Sequence, residues 1–307
     1  MAPLVKQKEN WDETAGNFTW QVPQFFNIAH AACDRHARDA SKLALIHETE
    51  SGTVETWTFR MLQQAANRLA NALEGLGLKP GDRVGIVLPQ CPETGIAHMG
   101  LYKMGAVALP LANLFGPEAL KYRLSDSGAK AVITDSENRQ KIEEIRDDVP
   151  ELKHLIQISE PVEKGDCSWN ELLQKASDQY ETRRTSAEDP CWIIYTSGTT
   201  GNPKGALHAH RTILGHLPGF ELSHDFAPQP GDLAWTPADW AWVGGLANIL
   251  LCSWFHGIPV LGFRFRRFDP EKALALMEKH RVRNTFLPPT ALKFIRQIPD
   301  LSGRFKN

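Results

Sequence analysis

Cysteine is scarce in this 307-residue chain and poorly spaced. Cys33, Cys91, Cys167, Cys191 and Cys252 are five in number, odd, and none forms a C-x-x-C pair. That excludes a disulfide framework or zinc ribbon and fits free thiols in a reducing compartment, so a cytoplasmic location is expected. Charge of one sign is also lacking: 34 Lys and Arg face 36 Asp and Glu, a net charge of −2. Such a balance provides no global field for a polyanion, and no nucleic-acid partner is expected. Met1 to Glu13 is polar and lacks an apolar signal core. The longest apolar stretch, Leu246 to Phe263, is interrupted by Asn248, His256, Gly257 and Pro259, so it predicts a buried helix and a strand rather than a membrane span. No G-x-S-x-G or H-E-x-x-H occurs, which leaves hydrolase readings without a nucleophile or metal site.

What the chain does have is alternation. Thr58 is placed to cap a helix through Leu73, with Leu62, Ala66 and Leu69 on its apolar face. Arg83 to Leu88 is a short apolar run typical of a buried parallel strand. Helix 94–104, strand 106–111, helix 117–126, strand 131–134, helix 138–149 and strand 154–158 follow. A second block begins near Pro190 with strand 191–196, and further helices and strands run to helix 289–297. This pattern predicts an α/β protein with largely parallel sheets flanked by helices. The expected organisation is a lead-in over 1–22, a first α/β subdomain over 23–170 and a second over 171–307, with sheets free to interleave. The polar segment 160–189 marks the division.

The most informative stretch is Tyr195-Thr196-Ser197-Gly198-Thr199-Thr200-Gly201-Asn202-Pro203-Lys204-Gly205, directly after the apolar Trp192-Ile193-Ile194. Glycines let the backbone approach a phosphate, consecutive N–H groups form an anion nest, hydroxyls donate and Lys204 adds charge. It is not a Walker A loop, because Pro203 and Gly205 flank the lysine where that motif wants Gly and Ser or Thr. A ligand-free Gly/Thr turn is the bland alternative, and four hydroxyls, three glycines and a lysine together argue against it.

This stretch resembles the phosphate-binding signature of the adenylate-forming superfamily, which includes acyl-CoA synthetases, beetle luciferases and peptide-synthetase adenylation domains. The resemblance implies phosphate contacts from Thr196, Ser197, Gly198, Thr199, Thr200, Gly201 and Lys204. It gives Lys204 and Thr196 catalytic roles, with Thr196 also toward the metal. Trp235-Thr236-Pro237-Ala238-Asp239-Trp240-Ala241-Trp242-Val243-Gly244-Gly245 resembles the T-A-D-x-G-W-x-x-G stretch of acetyl- and medium-chain acyl-CoA synthetases. That likeness places Trp242, Val243 and Gly244 in an acyl pocket. Gly244 stands where acetate-specific members tend to carry Thr, and its missing side chain suggests room for an acid longer than acetate. Leu287-Pro288-Pro289-Thr290 resembles the P-P-T turn of the same group. The likeness spans about residues 18–298.

The implied fold is the family's large domain, two stacked mostly parallel sheets, with the second sheet incomplete and the C-terminal domain absent. The implied function is an ATP-dependent acid–CoA ligase using ATP, Mg²⁺ and coenzyme A on a small carboxylic acid, with a homo-oligomer left open. The sequence stops at Asn307, before the family's Y-G-x-T-E segment, so impaired activity and reduced stability of the chain alone are expected. The alternatives are a non-catalytic nucleotide-binding remnant or interaction module, and an unrelated NTPase, which lacks a placeable Walker B carboxylate. His208, His210 and His216 lack partners at zinc spacing and are expected to be structural or pocket-lining. Phe263 to Phe268, alternating aromatic and basic, is expected to be a solvated strand edge, with contact to a coenzyme A phosphate as the alternative.

Overall fold

The computed structural model describes residues 4–196 and 201–301. Twelve strands appear in it: β1 Leu43–Glu48, β2 Val54–Thr58, β3 Arg83–Val87, β4 Val107–Pro110, β5 Ala131–Thr134, β6 His154–Gln157, β7 Cys167–Ser168, β8 Pro190–Thr196, β9 Lys204–Ala209, β10 Ala234–Trp235, β11 Val260–Phe263 and β12 Asn284–Thr285. They form a seven-stranded sheet, β7-β6-β5-β3-β4-β8-β9, and a five-stranded sheet, β12-β10-β11-β1-β2. Both are parallel except at one edge, where β9 runs against β8 and β2 against β1. The α/β architecture with two mostly parallel sheets is therefore present. Each sheet draws strands from both sides of residue 170: β1 pairs with β11, and β4 with β8.

Local chemistry explains the elements. Thr58 caps helix Phe59–Gly75, its hydroxyl accepting from the Met61 amide at 3.2 Å. Gly77 ends that helix at φ 86°, and the Leu78 amide donates to the Leu73 carbonyl at 3.1 Å. Helix Pro92–Met104 is buried nearly all round, which places it inside the molecule rather than on a face. The tip of Trp254 would lie 2.5 Å from a Cβ at its Gly95. The main core combines residues of both sheets with these two helices and the segment Val243–His256. That segment and β11 are the helix and strand expected from the long apolar run; Gly257 separates them at φ 70°. Among the described residues, no helix is long and apolar enough to cross a membrane.

Three elements go beyond the sequence pattern. β7 and helix Trp169–Lys175 lie inside the polar segment expected to be a boundary. β9 follows the glycine-rich stretch directly, so that stretch joins two strands of a hairpin instead of leading from a strand to a helix.

Candidate active site

The hairpin sets the geometry. Thr196 closes β8 and Lys204 opens β9, and the two are register partners across the ladder. Both are exposed. Gly201 has φ 95°, a conformation glycine adopts without a Cβ penalty. Ser197, Gly198, Thr199 and Thr200 lie outside the described residues. Gly205 faces Tyr195 across the ladder, where a Cβ would sit 2.9 Å from Ile193 Cγ2 and 3.1 Å from Tyr195 Cζ. Glycine is therefore demanded here by cross-strand crowding.

Helix Pro117–Ser127 holds the hairpin at β8 and at the residue just before β9. The Tyr195 hydroxyl donates to Asp126 Oδ2 at 2.5 Å, and the Tyr122 hydroxyl to the Pro203 carbonyl at 3.0 Å. Burial, then the Asp126 hydrogen bond, raise the Tyr195 phenol pKa, so the hydroxyl stays a donor. Sequence reading assigned these tyrosines no role, because their partners are distant in the chain and tyrosines are common in cores.

The second signature lies alongside. Trp242 is 41% exposed, and its ring meets Phe115 edge to face at 5.9 Å. The Arg123 guanidinium sits 4.1 Å over Phe115 and 5.6 Å from the Tyr195 ring centre. Tyr195, Arg123, Phe115 and Trp242 thus form a continuous chain of contacts linking the hairpin to the tryptophan-rich stretch. A cleft of about 510 Å³ opens there, with Gln90, Asn113, Asp239, Trp242 and Arg264 among its walls. Gln90 donates to the Thr236 and Ala238 carbonyls at 2.9 and 2.7 Å and accepts from the Phe263 amide at 3.2 Å. It ties the loop after β3 to the other sheet. Loss of water around the Asp239 carboxylate raises its pKa, against hydrogen bonds from the Ala241 amide and Asn113.

Val243 is half-buried against the main core. At Gly244, a Cβ would lie 2.6 Å from the Phe286 ring. The room expected from the absent side chain is filled by that ring, a contact between residues 42 positions apart that local sequence does not show.

The three histidines sit differently: the His208 ring lies 5.4 Å from that of Trp192, and His216 lines a cavity beside Phe286. Buried His210 accepts from the Ile28 amide at 3.2 Å, and burial lowers its pKa to about 4, keeping it neutral. His216 pairs with Asn248 at 2.7 Å. Among the described residues, no three His, Cys, Asp or Glu gather to hold a metal. The basic stretch is ion-paired rather than simply solvated: Arg264 meets Glu137 at 2.7 Å, and Arg266 meets Glu137 and Glu50.

Two mostly parallel sheets bearing a glycine-rich hairpin are the architecture of adenylate-forming ligases, and solved structures share it. The Brucella canis acyl-CoA synthetase superposes with a TM-score of 0.87 at 26% identity, covering 97% of this chain and 55% of that one. The anthranilate CoA ligase AuaEII, crystallised with anthranoyl-AMP, gives 0.81 at 26% identity over 92% of this chain and 53% of its own. Residues 31–306 match the AMP-binding enzyme family, and the chain belongs to it. Curated relatives are acetyl-coenzyme A synthetases: that of Pasteurella multocida is 33% identical over 94% of this chain and 47% of its own length. That of Escherichia coli K12 is 30% identical over 95% and 48%. The chain thus spans about half the length of the curated relatives it matches.

Proposed function

We propose that this chain carries the phosphate grip and acid-binding cleft of an ATP-dependent acid–CoA ligase. The supporting observation is the clasped hairpin, with Thr196 and Lys204 paired at its mouth and joined through Arg123 and Phe115 to the Trp242 cleft. In the first step a carboxylate oxygen of the acid attacks the α-phosphorus of ATP and the bond to pyrophosphate breaks. In the second the thiol sulfur of coenzyme A attacks the acyl carbonyl, and AMP leaves with the electron pair of the broken C–O bond. The first step asks for positioning and charge stabilisation rather than covalent help from the protein. Lys204 and the hydroxyls of Thr196, Ser197, Thr199 and Thr200 suit the phosphates, with the backbone of Gly198 and Gly201 close by.

The donor set fits Mg²⁺ carried on the nucleotide, with Thr196 supplying one protein oxygen. No carboxylate cage is present among the described residues, and Mg²⁺ ordinarily keeps waters and substrate phosphates as ligands. The bound ion would neutralise charge on the departing pyrophosphate. Trp242 and Val243 suit the cleft wall, and Phe286 over Gly244 favours a short or flat acid. The curated relatives are acetyl-coenzyme A synthetases and one structural neighbour is an anthranilate CoA ligase, in keeping with such an acid. The five cysteines are free, in keeping with a cytoplasmic setting.

The test is ATP binding by the 307 residues, together with acid-dependent ATP–pyrophosphate exchange in a protein extended to the relatives' full length. Lys204→Ala should weaken ATP binding at least ten-fold and abolish most exchange. Unchanged affinity and exchange would overturn the reading. The 307 residues alone should bind nucleotide but exchange slowly, since about half of the relatives' length is matched.

A further inference from the structure

The Trp242 cleft has polar walls as well as an aromatic one, and Asn113 and Asp239 are among them. Two loops from different sheets meet there. The residues after β4 carry Asn113 and Phe115, and the residues after β10 carry Asp239 and Trp242. The loops touch twice: the Phe115 and Trp242 rings lie 5.9 Å apart, and Asn113 Nδ2 donates to Asp239 Oδ2 at 3.4 Å. We propose that Asp239, tied to Asn113, is a positioning residue that fixes the Trp242 wall of the acid-binding cleft. The role of that wall rests on the cleft being the acid site.

Asp239 closes the turn on which Trp242 sits. Its Oδ1 accepts from the Ala241 amide at 3.0 Å, and its carbonyl accepts from the Trp242 amide at 3.1 Å. An aspartate side chain that bonds the backbone two residues on makes an Asx turn. The Trp242 carbonyl in turn accepts from the Leu246 amide at 2.8 Å, so the backbone is held on both sides of the ring. Gly245 leaves room for this turn. A Cβ there would lie 2.5 Å from the Asp239 carbonyl oxygen and 2.9 Å from that of Ala238.

The Asn113 amide is oriented by charged groups behind it. Lys141 Nζ donates to Asn138 Oδ1 at 2.9 Å, and Asn138 Nδ2 donates to Asp135 Oδ1 at 2.9 Å. An ammonium only donates and a carboxylate only accepts, so the Asn138 amide has one orientation. Its Nδ2 also donates to Asn113 Oδ1 at 2.8 Å, which turns Asn113 Nδ2 toward Asp239. Lys141 holds the Asn113 carbonyl as well, at 2.7 Å. Asn138 is buried, and bonds to charged groups strengthen away from water. The series therefore ends on a donor, and position 239 must offer it an acceptor. A carboxylate accepts from Asn113 and Ala241 at once. An amide at 239 that still accepts from Ala241 would turn its own N–H group toward Asn113.

Fluorine NMR of the 307-residue chain labelled with 5-fluorotryptophan tests this. Nine tryptophans give nine signals, and Trp242→Phe identifies the one from Trp242. Asp239→Asn sets N–H against N–H at Asn113, so it should shift or broaden the Trp242 signal. The signals of buried Trp169, Trp192 and Trp254 should stay in place, which shows the variant folded. Adding Asn113→Asp restores a donor and an acceptor with their roles exchanged, and should return the Trp242 signal to its wild-type position. Benzoate affinity, titrated by calorimetry, should follow the signal, about ten-fold weaker in Asp239→Asn and recovered in the exchanged pair. A Trp242 signal unmoved by Asp239→Asn, no recovery on adding Asn113→Asp, or equal benzoate affinity in wild type and Asp239→Asn would each overturn the proposal. Displacement of all nine signals would make Asp239 a general stabiliser and overturn it too. If the signal behaves as expected but wild type does not bind benzoate, the positioning role stands and the acid-site reading falls.

Discussion

Gly205 shows how one residue sets the hairpin. Its missing side chain lets Tyr195 and Ile193 cross the ladder, so Gly205→Ala forces a methyl group to 2.9 Å from Ile193. Overpacking of this kind costs about 1–3 kcal/mol. Gly205→Ala should lower the thermal midpoint, and adding Ile193→Val should recover part of the loss by removing a methyl group. Equal midpoints for wild type and Gly205→Ala would show that the strand yields freely. His210 makes the corresponding case for pH. Its folded pKa of about 4 lies below the unfolded value near 6.5, so acid protonates the unfolded state first. The stability it contributes is full above about pH 6.5, falls as pH drops toward about 4 and levels off below that. His98, held to about 3 by burial, acts in the same direction. The linkage is worth up to roughly 3 kcal/mol for His210. Urea unfolding between pH 7 and 4 should therefore show a shallower decline in His210→Gln than in wild type; parallel declines would remove His210 from the account.

At the scale of elements, the hairpin depends on helix Pro117–Ser127. Tyr195 to Asp126 is a hydrogen bond to a charged acceptor, and such bonds contribute roughly 1.5–3 kcal/mol net. A double-mutant cycle of Tyr195→Phe and Asp126→Asn, read by urea unfolding, should give a coupling of about 1–2 kcal/mol. A coupling near zero would mean that the helix does not clasp the strand through this bond. Amide exchange at β9 should quicken in Tyr195→Phe, because β9 is an edge strand with β8 as its single neighbour in the sheet.

At the scale of the molecule, Lys103 is the most exposed to test. It lies 1% accessible in the interior, paired with Asp34, while Asp34 also holds Gln63 and Thr182. Removing one member of such a buried pair leaves an uncompensated charge and costs about 3–5 kcal/mol. Lys103→Met should lower the free energy of urea unfolding by that measure, and Lys103→Met with Asp34→Asn should recover part of it. A single variant as stable as wild type would show that the pair is dispensable.

Sequence and tertiary structure divided the work along physical lines. Strand and helix positions were readable because apolar periodicity and caps are local: the Thr58 cap, the Gly77 stop and the β3 run each act within a few residues. The adenylate-forming family was readable because a glycine-rich phosphate loop needs its residues contiguous. β9 was missed because an edge strand with Lys204 to Leu207 all exposed carries no alternating apolar signal. The Arg123–Phe115 bridge, the Phe286 ring over Gly244 and the Asn113–Asp239 contact were decided only by folding. Each joins side chains far apart in the chain, and one strand's periodicity does not say which distant residue will pack against it.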